Sequence, residues 1–251
     1  MSEEYCIILN EKEQERFKLV FDNLHSSLKW FWQIIMVTTF AQTTRVFAEA
    51  VLTKLEKYFS TNEISQLFSI SSLAHTLCYV SFTLIFSRIF LGDTRMLDIW
   101  YKEDIKTKGL QYVASKYSPY KVCIDAILLV SHSIIFIFMS ISIVNPMQYS
   151  VVVTVFLIVN ALWLWKNKWH YGAGAIDEYT KKHENYAVGI WAANNSIFGL
   201  VAILVLFILY ANNGTNIWLY ITILQFLFIL NSIVDYVFTF SFYFPNLVRK
   251  K

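Results

Sequence analysis

The sequence predicts an all-α fold: a polytopic transmembrane bundle of five or six spans, with short loops and an N-terminal amphipathic helix. Three observations predict it. Five long apolar runs cover 64–91, 122–145, 148–165, 187–211 and 217–244, near or above the ~20 residues that cross a bilayer. Only 16% of the 251 residues are charged, against roughly a quarter in soluble domains, and 56% are hydrophobic. Lysine and arginine, finally, alternate between the two ends of the runs.

That alternation sets an orientation. Segment 88–121 holds seven Lys and Arg, the turn at Pro146 none, 166–186 four, and the Asn212–Thr215 turn none; the chain ends Arg249-Lys250-Lys251. By the positive-inside rule, the loops 92–121 and 166–186 and the basic tail 247–251 are expected in the cytoplasm of a cell-membrane protein. Segment 27–54 enters lipid through Trp30-Phe31-Trp32 but carries Arg45 and Glu49, which are four apart and able to pair. Read as a span (about 29–52), it makes six and leaves both termini cytoplasmic. Residues 1–26 are expected to form a cytosolic amphipathic helix, and 27–246 one membrane domain. The acidic start lacks the basic region of a cleaved signal.

Several classes are excluded by composition. A net charge of +3 is too small for nucleic-acid binding, and three scattered cysteines make no disulfide framework. Seven Gly and three Pro argue against the broken helices of many transporters. No nucleotide-binding, esterase or zinc-protease motif occurs, so an enzyme is disfavoured and no cofactor is expected.

Polar residues inside lipid are costly, which makes them functional candidates. Asp125, His132, Asn160, Asn194, Asn195, Asn231 and Asp235 fall in the cytoplasmic half of their runs and are expected to line a polar chamber. Ser72, His75, Thr76, Tyr79 and Thr83 form a stripe along 64–91, read as pore-lining. The competing reading is packing glue, since interhelical hydrogen bonds contribute ~0.6 kcal/mol each. Arg88 is expected to pair with Asp98 or Asp125, because an unpaired guanidinium there is expensive.

The densest polar segment is 88–101. Gly92-Asp93 suits a helix stop and a new cap, after which Arg95, Asp98 and Tyr101 would share a face. With Arg88 and Asp93 they form a candidate site for an anionic signal or a cytosolic protein partner. His170, Asp177 and His183 are weak metal candidates without standard spacing, so no metal is assigned. The leading functional expectation is a signal- or partner-gated, channel-like or effector membrane protein, assembled as a homo-oligomer for ion transport. A small proton- or cation-coupled carrier is the alternative. A third is a membrane enzyme acting on lipid headgroups through Asp93, Asp98, His170 and Asp177.

Overall fold

The computed structural model describes residues 11–60, 69–98, 119–171 and 178–244, and the regular structure among them is entirely helical. Six helices follow one another: α1 (Glu11–Ser60), α2 (Ile70–Asp98), α3 (Pro119–Ser142), α4 (Pro146–Tyr171), α5 (Glu178–Ala211) and α6 (Ile217–Tyr243). Four are long and apolar enough to cross a membrane: α2, α4 over 146–165, α5 over 187–211 and α6 over 217–240. Large apolar side chains such as Leu204, Phe207, Val237 and Phe238 point outward, while Arg88, Asn195, Asn231 and Asp235 are fully buried. Apolar outside and polar inside is what hydrocarbon surroundings select, because only the interior offers hydrogen-bond partners. The protein is a membrane-embedded helical bundle.

Local sequence accounts for the helix ends. Ser69 caps α2, its hydroxyl accepting the Ser72 amide at 3.2 Å. Asn145 caps α4 in the same way through Gln148, also at 3.2 Å, and Pro146 follows at the first helical position, where no amide is needed. Helix α5 ends in a Schellman arrangement. The amides of Gly214 and Asn213 reach back to the carbonyls of Leu209 and Tyr210, both at 3.1 Å. Asn213 and Gly214 take φ of 50° and 73°, the left-handed values that motif needs.

The helices close a ring in the order α1–α2–α6–α5–α4–α3, and α4 also touches α2 and α6 across the middle. Contacts at matching heights show the directions. His75 meets Trp218 near the start of α2 and α6, and Ser81 meets both Tyr149 and Gln225 further along. Helices α2, α4 and α6 therefore run parallel, with α1, α3 and α5 antiparallel to them. The two tight turns, 142–145 and 212–216, share one end of the bundle. The end of α2 at Asp98 marks the other.

Two boundaries differ from expectation. No break separates 11–26 from the expected first span: α1 is one 50-residue helix, ~75 Å at 1.5 Å per residue. Its continuity follows from the lack of any Gly or Pro between Glu11 and Ser60. Gly92 does not stop a helix either, because α2 continues through it to Asp98. A Cβ at Gly92 would lie 2.3 Å from the Trp191 ring of α5. The glycine is there for close approach between helices.

Candidate functional site

The last eleven residues of α2 send charged side chains to three flanks of the bundle. Arg88 turns inward to α5 and α6. Its Nη1 donates to Asn231 Oδ1 at 2.6 Å, its Nη2 to Asn195 Oδ1 at 3.2 Å, and its Nε lies 3.6 Å from Asp235 Oδ2. Tyr243 donates its hydroxyl to the same Asp235 oxygen. Asn231 also donates to Asn195, at 3.3 Å, and Asn194 donates to the Asn231 carbonyl at 2.8 Å. An arginine presents a planar fork of donors, and three polar groups on two helices receive it. Because Arg88 and Asp235 are both wholly buried, each is tolerable only with the other present.

Asp93 turns the other way. Its Oδ2 is 3.1 Å from His132 Nδ1 on α3, with both side chains almost completely buried. The His132 ring packs edge-on against Trp163 at 4.7 Å and Phe156 at 5.8 Å. Phe156, Asn160 and Trp163 lie three or four apart on α4, so Asn160 belongs to the same face. Asp98, at the helix end, is partly exposed and meets α1, 3.1 Å from His25 Nε2 and 2.8 Å from Lys29 Nζ.

Several buried polar atoms on these residues and on neighbouring ones have no hydrogen-bond partner among the described residues. They are Asp93 Oδ1, His132 Nε2, both amide atoms of Asn160, Asn195 Nδ2, Ser232 Oγ and Asp235 Oδ1. Buried polar groups are rarely left so. They are carried by α2 to α6, and a water or small polar species beside any of them would satisfy it.

The predicted site residues distribute as follows. Arg88, Asn194, Asn195, Asn231 and Asp235 come together, and His132 with Asn160 forms the neighbouring cluster. The expected partner of Arg88 was Asp98 or Asp125, but the structure gives it Asp235, because Asp98 lies on a different side of α2 and is held by α1. Arg95 is half-buried. Asp177, Tyr101 and the side chains of Asp125, His170 and His183 lie outside the described residues. Among the residues described, no cluster of three metal-ligating side chains occurs.

The α2 stripe faces α1 and α3. Tyr79 hydrogen-bonds Thr44 at 3.0 Å and stacks on Phe47 at 4.4 Å. Thr76 and Thr83 return their hydroxyls to their own helix, and His75 Nδ1 does so to the Ser71 carbonyl at 2.7 Å. Sequence reading missed Ser81, which meets the Tyr149 hydroxyl at 3.1 Å and donates to Gln225 Oε1 at 2.8 Å; Gln225 in turn donates to Ser150 at 2.8 Å. Ser81, Ile85, Arg88 and Gly92 are spaced by four, three and four, the period of one helix face, and that was the available signal. Trp191 and Tyr243 were missed as well, since aromatic residues in apolar runs carry no distinguishing pattern.

Set against known family models, characterised proteins and solved structures, the chain matches none. The fold and site define a class, a helical membrane protein with ion pairs buried in its core, and the functional reading rests on that geometry.

Proposed function

We propose that this protein is a small proton- or cation-coupled carrier of the cell membrane, with six spans and both termini in the cytoplasm. One observation carries the reading. Arg88–Asp235 is a fully buried ion pair and Asp93–His132 a fully buried carboxylate–imidazole contact, five residues apart on one helix, and each keeps one carboxylate oxygen without a partner among the described residues. Buried ionisable groups in membrane helices characteristically mark ion pathways and proton relays. A proton passing across the Asp93–His132 contact exchanges a charged pair for a neutral one without moving a helix. A cation entering beside Asp235 would compete with Arg88 for the same carboxylate. The gated-channel reading has less support, because α1 packs over the α2 stripe that would have to line the path. The Asp98 contact with His25 and Lys29 supports a partner-sensing role for that end of α2, since displacing it would free α1.

Reconstitution into vesicles with a trapped pH indicator and imposed proton or sodium gradients tests the carrier. Wild-type protein should carry flux, and Asp93→Asn and Asp235→Asn should each lower it at least tenfold at equal incorporation. Unchanged flux in both variants, or none in wild type, overturns the reading.

A further inference from the structure

At the opposite end of α2 from the ion pairs, α1, α2 and the turn after α3 border a cleft of about 570 Å³, its open mouth included. Its walls are mainly apolar, with Phe47, Val51 and Leu55 of α1 facing Ile143 and Val144 of the turn after α3. Lys54 of α1 also lines it, as does His75 of α2, whose Nδ1 is held by the Ser71 carbonyl. Lys54 has no acidic partner among the described residues, and partial burial holds its amine below the ordinary lysine range. Uncompensated positive charge in an apolar cleft costs free energy that an anion would recover.

The position narrows what that anion is. The cleft lies at the end of the bundle carrying both tight turns, and Trp218 of α6 sits against His75. Tryptophan at a helix start beside such turns marks headgroup depth. A soluble anion would leave the apolar walls unfilled, and a neutral acyl chain would leave Lys54 unpaired. A lipid anion satisfies both.

We propose that this cleft binds one anionic lipid, its charged headgroup against Lys54 and an acyl chain along Phe47, Val51 and Ile143. The site is separate from the buried ion pairs and does not depend on the transport reading. It ties α1 to α2 and the turn after α3, and Phe47, which lines it, also stacks on Tyr79. Bound lipid therefore reinforces the seam between α1 and the rest of the ring.

Native mass spectrometry of the purified full chain, with phosphatidylglycerol, phosphatidylcholine or oleate added, tests this. Wild type should retain phosphatidylglycerol at least fivefold more than phosphatidylcholine. Lys54→Gln should remove the preference and Lys54→Arg should keep it. Ala50→Phe, which fills the cleft, should reduce retention of every anionic lipid. Elution as the same species as wild type shows that each variant is folded. Oleate retained in place of phosphatidylglycerol assigns a carboxylate headgroup, and the reverse assigns a phosphate. Equal retention of charged and zwitterionic lipid by wild type, or an undiminished preference in folded Lys54→Gln, overturns the proposal.

Discussion

Arg88 and Asp93 are five residues apart on α2, yet Arg88 is held by Asp235 of α6 and Asp93 by His132 of α3. At 3.6 residues per turn, five residues place two side chains roughly 140° apart. Opposite charges on one helix thus avoid each other and bind separate neighbours. This stretch of α2 joins both halves of the ring.

Arg88→Ala or Asp235→Ala alone should destabilise the protein by ~3–5 kcal/mol, because each leaves the other charge buried and uncompensated. The double variant Arg88→Met/Asp235→Leu should recover part of that loss. A double-mutant cycle on reversible unfolding in detergent measures the coupling. Strictly additive losses would show that the two side chains do not interact.

Gly92→Ala should destabilise by ~1–3 kcal/mol, the usual range for overpacking. Its Cβ would meet the Trp191 ring at 2.3 Å, and that ring is wholly buried. Trp191→Leu in the Gly92→Ala background should lessen the added cost. Comparing the melting temperatures of the two single variants and the double checks this.

Polar contacts at different depths should differ in weight. Gln225→Leu removes bonds to Ser81 and Ser150 in a buried site and should cost on the order of 0.6–1.7 kcal/mol. Lys29→Ala should cost less than about 1 kcal/mol, because Lys29 and Asp98 are each about a quarter exposed, at 28% and 26%. Unfolding titrations of the two variants side by side give the order.

Cysteines introduced at Gln148 and Asn213 should react with a membrane-impermeant thiol reagent added outside intact cells. Those at Lys106 and Lys181 should react only after permeabilisation. The expectation rests on the distribution of Lys and Arg between the two sets of connections. Labelling in the reverse sense would invert the proposed orientation.

The all-helical class, four apolar spans and the helix limits at the two tight turns were legible in the residues themselves. Apolar length distinguishes membrane helices without tertiary information, and Asn145-Pro146 and Asn213-Gly214 mark turns through backbone chemistry that is local. Several buried polar residues, His132, Asn160, Asn194, Asn195, Asn231 and Asp235 among them, were also visible, because burying an amide or carboxylate in a span is costly wherever it points. Partner choice was not. The residues suggested Asp98 or Asp125 for Arg88, whereas the partner is Asp235, and only the neighbour at each angular position around α2 decides that. Gly92 shows the same limit: its sequence context suits a helix stop, and only the Trp191 ring of α5 explains a glycine inside a continuous helix. Residue type and spacing along one chain determine helix, length and depth. Rotation about each helix axis, which decides who meets whom, is set by packing among all six.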